Sequence, residues 1–334
     1  MRIVVIGSEG FIGQSLVSRL MARTRVSASG QSASLVTRLD LRMAASMASG
    51  PSASGSSPGG GRPGMRCVEG DICDRAVLAR AFEGGVDVVF HLASIPGGAA
   101  EQNFELGLRI NLQATLDLLE ALRVTGTSPR LVFASTIGVY GVPMPVLIDE
   151  HTVPEPALSY GAHKYIGEVL IADYARRGFV DGRAVRIPGI VARPPTQGML
   201  SIFLSDLIRE LSAGRSFICP VAMDAPSWWM SRPCMVENLL HAAALPAASE
   251  PGAALAKRRT FLMPVLRLTM AEVVAGIAAV RGPEVLGRVS YQPNAKLQAQ
   301  FAAYPPLECP QALAAGFRHD GDVRTLVRRA LECA

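Results

Sequence analysis

Residues 2–13 read Arg2-Ile3-Val4-Val5-Ile6-Gly7-Ser8-Glu9-Gly10-Phe11-Ile12-Gly13, and the fold is decided here. The apolar run 3–6 has the length and β-branched content of a buried strand, and apolar residues recur at helical spacing from Gln14 to Met21. Between them three glycines stand three residues apart. Glycine allows the tight turn and the close approach of backbone that a pyrophosphate needs. The helix that follows brings its unsatisfied first-turn amides and the positive end of its dipole. A glycine triplet alone is weak evidence. With a strand before it and a helix after it, the stretch implies a dinucleotide held by Gly7, Gly10, Phe11, Ile12 and Gly13.

Working outward, strand-like runs alternate with helical ones. Ser34–Leu41, Val86–Leu92, Arg130–Ala134 and Arg183–Ile187 are apolar and short. Asn103–Val124 and Tyr160–Arg177 are long and amphipathic, the first with Leu108, Leu112, Leu116, Leu119 and Leu122 near helical spacing. Repeated β-α-β units imply an α/β fold of Rossmann type, a doubly wound parallel sheet with right-handed crossovers. The expected division is a dinucleotide-binding part over 1–190 and a smaller, Pro-rich substrate-binding part over 191–334, with some return to the sheet. Within the first part, residues 43–64 collapse to Ala, Ser, Gly and Pro, a composition too poor in apolar surface to offset the cost of ordering, so a mobile loop is expected.

Composition excludes several classes. The chain has 334 residues, 49% of them hydrophobic, and a net charge of +5. Its positive residues are scattered, with Lys257-Arg258-Arg259 the single run of three, which argues against nucleic acid as a partner. No run approaches the roughly 18 apolar residues of a membrane span. The six cysteines show no C-x-x-C pair, and the chain starts directly on a strand, so a cytoplasmic location with reduced thiols is expected. The histidines at 91, 151, 163, 241 and 319 are dispersed without ligand spacing, so no metal site is expected. His163 is expected to face solvent. Trp228-Trp229 could line a pocket or cap a core.

A second motif carries chemistry. Tyr160-Gly161-Ala162-His163-Lys164 places a phenol and an ammonium four residues apart, on one face of a helix. A free phenol is a poor base at neutral pH, and a neighbouring ammonium favours its phenolate. About 25 residues earlier a strand ends in Ser135-Thr136, whose hydroxyls could hold the substrate oxygen that Tyr160 deprotonates.

The glycine motif, Gly70-Asp71-Ile72, His91-Leu92-Ala93-Ser94, Asn111, residues 134–141 and the Tyr160/Lys164 pair stand in the order of the extended short-chain dehydrogenases, and the chain resembles that family over almost its whole length. The resemblance implies that Asp71 and Ile72 lie by the adenine and that Leu92, Ala93, Ser94, Asn111 and Pro188 line the cofactor. It also implies that Tyr160, Lys164 and Thr136 form the catalytic triad, with Ser135 able to share the role of Thr136, and that Tyr160 and Lys164 also touch the cofactor. The dehydratases of the family carry an Asp-Glu pair where this chain has Ile137-Gly138, which argues against water elimination.

Within the family the C-terminal half resembles the D-erythronate dehydrogenases, through residues 101–107, 159–164, 172–184, 218–221, 229–231 and 236–243. That implies oxidation of the 2-hydroxyl of a four-carbon sugar acid, with Ser135, Thr136 and Tyr160 at the reacting carbon. Arg232, and behind it Arg193, are the candidates for the substrate carboxylate. Extended members commonly dimerise through the helices spanning 103–124 and 160–177, so a homodimer is expected. NAD is the implied cofactor, and an acidic residue at the end of the second strand should take the ribose hydroxyls. Asp40 is the candidate. Arg38 and Arg42 flank it, and a strand ending at Met43 would leave no acid there, which keeps NADP open. Two other readings remain: a nucleotide-sugar 4-epimerase on the same scaffold, and a non-catalytic dinucleotide sensor.

Overall fold

The computed structural model describes residues 1–22, 32–43, 62–195, 200–247 and 258–332. Most of the stretch at 43–64 expected to be a loop lies outside these residues. The chain divides into two compact units. The first comprises Met1–Thr136, Leu158–Arg186 and Leu239–Phe261, and the second Ile137–Ala157, Ile187–Asn238 and Leu262–Ala334. The chain thus leaves the first unit near 137, near 187 and near 262, where the sequence suggests one boundary at 190 with some return to the sheet.

The first unit is built on a seven-stranded sheet. Its strands are β1 (Arg2–Ile6), β2 (Leu35–Asp40), β3 (Gly64–Glu69), β4 (Val88–His91), β5 (Arg130–Thr136), β6 (Asp181–Ile187) and β9 (Thr260–Leu262), in the spatial order β3-β2-β1-β4-β5-β6-β9. The pairs from β3 across to β5 are parallel. The order reverses direction between β1 and β4, the crevice where doubly wound sheets bind ligands at the carboxyl ends of their strands. The helices are α1 (Phe11–Ala22), α2 (Arg75–Phe82), α3 (Gly97–Gln102), α4 (Phe104–Leu108), α5 (Ala114–Val124) and α6 (Ser159–Arg176). Val4, Ile6, Leu39, Val89, Leu118, Leu122, Phe133 and Ile171 meet in one core between sheet and helices. β3 and α2 carry no marked periodicity, and only the structure brings them out. The helix expected over 103–124 is interrupted at Arg109–Gln113 by a π-helical turn that contains Asn111.

The second unit contains α7 (Phe203–Ser212), β7 (Phe217–Cys219), β8 (Pro226–Trp229), the start of α8 (Arg232–Ala244), β10 (Leu266–Thr269), α9 (Met270–Arg281), β11 (Val289–Tyr291), α10 (Ala295–Phe301), α11 (Pro310–Ala314) and α12 (Val323–Leu331). Two small ribbons, β8 with β10 and β7 with β11, replace a large sheet. Apolar positions three and four apart on α7 (Phe203, Leu207, Ile208, Leu211) and on α12 (Leu326, Val327, Ala330) pack on Trp229, Val273 and Ile277. Both tryptophans are fully buried. Trp228 Nε1 donates to Pro305 O at 2.8 Å and Trp229 Nε1 to Leu268 O at 2.9 Å, so the pair belongs to the core of this unit.

Candidate functional site

The loop after β1 is held from two sides. Gly7 N donates to Leu39 O at 2.9 Å, with Gly7 at φ 82°. A β-carbon on Gly7 would stand 2.7 Å from Ala93 N, so only glycine lets the loop lie against the segment after β4. A β-carbon on Gly13 would meet Gly7 O at 2.0 Å, and glycine is what lets α1 begin under the turn. The first-turn amides that α1 cannot satisfy itself therefore open on the carboxyl edge of β1 and β4. This cradle, which side chains would fill, fits a dinucleotide pyrophosphate.

β2 ends at Asp40, not at Met43, so an acid does occupy the strand end. Its carboxylate accepts from Glu9 N and from Leu41 N, each at 2.8 Å. Arg38 is buried and ion-paired with Glu9, which withdraws it from the role of a surface 2′-phosphate ligand. Asp71 takes Arg109 Nη2 at 2.5 Å and Cys73 N at 2.9 Å, and Ile72 beside it is buried. Leu92, Ala93 and Ser94 are half-buried just beyond β4. Asn111 is almost wholly enclosed. Its side chain accepts from Ile95 N at 2.8 Å and donates to Ile95 O at 3.1 Å, so it fixes the segment that the glycine loop leans on.

The second half of the site is the face of α6 against β5. Glu101 of α3 accepts Ser159 N at 2.5 Å and caps the start of α6. Tyr160, Lys164 and Glu168 follow at four-residue intervals, one above the other. Gly167 lacks the β-carbon that would stand 2.9 Å from the Phe133 ring, so the helix closes onto β5. Lys164 is fully buried, its Nζ 4.7 Å from the centre of the Phe133 ring and 5.9 Å from that of Tyr160. Burial pushes its pKa down to about 7. His91, the register partner of Phe133 on β4, lies beside it, ring centres 5.5 Å apart. Burial, and next the charge of Lys164, lower His91 to about 3, so it is neutral. Thr115 Oγ1 donates to Asn111 O at 3.0 Å, which leaves its oxygen to accept from His91 Nε2–H at 3.0 Å.

The two neighbouring hydroxyls at the end of β5 separate. Ser135 is buried and donates to Glu168, while Thr136 is half-buried one residue further. Glu168 is paired in turn with Arg186 of β6, through Nε at 3.0 and 3.2 Å and Nη2 at 2.7 Å. Phe133, Glu168, Arg186, Glu9 and Glu101 carry no site role in the sequence reading. Only Glu168 left a signal there, as the next residue on the Tyr160/Lys164 face. His163, expected to face solvent, is buried because Phe104 of α4 covers it, ring centres 6.1 Å apart.

The structure thus gathers Gly7, Gly10, Phe11, Ile12, Gly13, Asp40, Asp71, Ile72, Leu92, Ala93, Ser94, Asn111, Ser135, Thr136, Tyr160 and Lys164 in the first unit. Pro188, Arg193 and Arg232 belong to the second. Pro188 is buried; Arg193 is half-buried and donates from Nε to Ile190 O at 3.0 Å; Arg232 is half-buried in the first turn of α8. Among the described residues no three His, Cys, Asp or Glu side chains converge as a metal site would require, and no helix is long and apolar enough to cross a membrane.

A glycine cradle at the sheet's switch point, an acid ending β2 and a Tyr/Lys pair beside β5 define an enzyme of the extended short-chain dehydrogenase type. Residues 3–225 match the model of the NAD dependent epimerase/dehydratase family, and the chain belongs to that family, with NAD as its cofactor. It is 35% identical to a D-erythronate dehydrogenase of Cupriavidus necator, over 100% of this chain and 99% of that one. With a D-erythronate dehydrogenase of Haemophilus influenzae it shares 30% identity over 99% of each. Among solved structures it resembles a nucleoside-diphosphate-sugar epimerase from Agrobacterium tumefaciens, with a TM-score of 0.82, 30% identity, and coverage of 99% of this chain and 94% of that one.

Proposed function

We propose that this chain is an NAD-dependent dehydrogenase that oxidises the 2-hydroxyl of a four-carbon sugar acid, D-erythronate, to the 2-keto acid. The observation that carries the chemistry is the stacking of Tyr160 over Lys164 on the buried face of α6, beside the end of β5. The two full-length relatives named for D-erythronate support the substrate. When bound, NAD supplies the nicotinamide carbon that accepts hydride. Tyr160 Oη takes the hydroxyl proton as the C2–H bond breaks, so the products are the keto acid, NADH and a proton that passes to solvent. Lys164, held over Phe133, makes the phenolate accessible at neutral pH: its positive charge stabilises the anion, and the anion in turn favours the ammonium. Thr136 orients the substrate oxygen. Ser135 acts on Glu168 and not on the substrate. Asp40 accepts from the adenosine ribose, and Arg232, with Arg193 behind it, meets the carboxylate.

The enzyme works in the cytoplasm as a homodimer. Phe104, Leu106 and Leu108 on α4 and Ile166 and Val169 on α6 are exposed apolar side chains of two adjoining helices, the surface a second copy would cover. Neither nucleic acid nor membrane is a partner.

The test is NADH formation by the purified chain with NAD and a panel of D-erythronate, L-threonate and a uridine diphosphate hexose. Preference for D-erythronate is expected. The epimerase reading draws on the Agrobacterium structure; conversion of the nucleotide sugar, with no NADH from any acid, would establish it in place of the dehydrogenase. Binding of NAD without turnover of any of these compounds would leave the sensor reading.

A further inference from the structure

Asp40 is the candidate for the ribose, and Glu9 beside it has no evident role. A carboxylate in a loop built to receive pyrophosphate works against the anion, unless it does something else. Its backbone and its side chain face two different partners. Glu9 N donates to Asp40 Oδ2 at 2.8 Å, which places the residue beside the acid at the end of β2. Its carboxylate is ion-paired with Nη2 of Arg38, two residues earlier on the same face of β2.

Arg38 is an unusual counter-ion. Its side chain is 2% exposed, and its Nε and Nη1 have no hydrogen-bond partner. Buried guanidinium groups are normally paired through several nitrogens, because an unmatched buried charge is costly. Among the described residues Glu9 is its single ionic partner, so Glu9 alone cancels a buried positive charge beneath the ribose end of the cradle. The remaining charges at the ends of β2 and β3 are Asp40, the exposed Glu69, the exposed Arg42, Arg80, which donates to Glu69 O at 3.2 Å, and the mutually paired Asp71 and Arg109. Glu9, Asp40 and Glu69 balance Arg38, Arg42 and Arg80. Without Glu9 the set carries one excess positive charge, and a guanidinium with three unmatched nitrogens points at the loop.

We infer that Glu9 is a second cofactor-selecting residue: clamped by the buried Arg38, it keeps the ribose end of the site from becoming positive and so disfavours a 2′-phosphate. Asp40 accepts ribose hydroxyls, while the Glu9–Arg38 pair decides whether Asp40 stands alone against the phosphate or is offset by a free arginine. The inference rests on dinucleotide binding at the glycine loop, and titration of the unmodified chain tests that separately.

The experiment is direct titration of the full-length chain with NAD and with NADP, by calorimetry, for Glu9→Gln, Arg38→Met and the double variant. Circular dichroism confirms that each is folded. Glu9→Gln lowers the ratio of the NADP to the NAD dissociation constant by about tenfold or more, chiefly by tightening NADP. Arg38→Met, which replaces a buried charge with a side chain of similar length and leaves Glu9 able to reach water, raises the ratio. The double variant, with the same net charge as the unmodified protein, returns close to the starting ratio. A Glu9→Gln ratio within about threefold of the unmodified one, or an Arg38→Met ratio that falls, overturns the inference. If Glu9→Gln does not fold, the direction of the Arg38→Met change decides alone. A chain that binds NAD tightly but shows none of these changes keeps its cofactor site and loses only the role of Glu9. A chain that binds neither dinucleotide loses both.

Discussion

The two units bury polar groups to different ends. In the first, apart from Arg183, which donates to Ala242 O and Leu245 O, the main buried polar pairs lie around the cradle and the catalytic face: Arg38 with Glu9, Asn111 with Ile95, His91 with Thr115, and Ser135 with Glu168 and Arg186. In the second they pin the unit's own backbone. Asp320 accepts from Ser231 N at 2.8 Å and Ser231 Oγ at 2.5 Å, Asn238 exchanges bonds with the backbone of Arg318, and Glu150 receives the first amides of α11. Ser231 directly precedes Arg232. The first unit therefore places charges around the cradle and the Tyr160/Lys164 face, and the second ties down Ser231, the residue before Arg232. Changes in the two units should separate into effects on turnover and cofactor on one side, and on the affinity for the acid on the other.

The largest effect expected is from Tyr160→Phe, which removes the proton acceptor without altering packing. Turnover with D-erythronate should fall by about 10²–10⁴, a loss far larger than any change in the NAD dissociation constant read by calorimetry. Glu168→Gln removes the negative partner of the buried Glu168–Arg186 pair in the first unit and should cost about 3–5 kcal/mol in urea unfolding, as expected for breaking one side of a buried ion pair. In the second unit, Arg232→Ala should raise KM for the acid by about tenfold to a hundredfold, as expected for loss of a charged hydrogen bond, and leave NAD binding as it was. If KM is unmoved, Arg232 is not the carboxylate ligand and Arg193 takes its place in the account.

The smallest effect is on pH dependence. Lys164 has a folded pKa of about 7 against an ordinary 10.5. Between those values the unfolded chain carries a proton that the folded chain lacks, so stability contributed by this site is present above about 10.5 and is lost as pH falls towards 7. The slope is at most about 1.4 kcal/mol per pH unit. The cofactor-free protein should gain thermal stability from pH 7 to 9, and Lys164→Met should flatten that rise.

What the sequence disclosed and what it hid follow the same division. Gly7 and Gly13 were legible because backbone contact leaves no other residue possible there, and Tyr160 and Lys164 because helix periodicity fixes their common face. The parallel, doubly wound sheet follows from the alternation of runs, whereas its strand order and the presence of β3 come from the structure. Glu168 with Arg186, and Glu9 with Arg38, were not legible. Each pair joins residues far apart in the chain whose types are ordinary on a surface, and only the fold reveals that they are buried together. Asp40 was ambiguous because three residues separate a strand ending in that acid from one ending at Met43; the pairing of Asp40 with Glu69 settles that register. His163 was misjudged because its cover comes from Phe104 on another helix. In the second unit the ribbons and short helices have no strict period, so Arg193 and Arg232 could be reached only through resemblance.

The most direct test of the central claim uses D-erythronate carrying deuterium at C2, with NAD and the purified chain, and mass spectrometry of the nicotinamide product. The account predicts NADH that carries one deuterium at C4 of the ring for each keto acid formed. Deuterium retained in the carbon substrate or lost to water, with no labelled NADH, would contradict it.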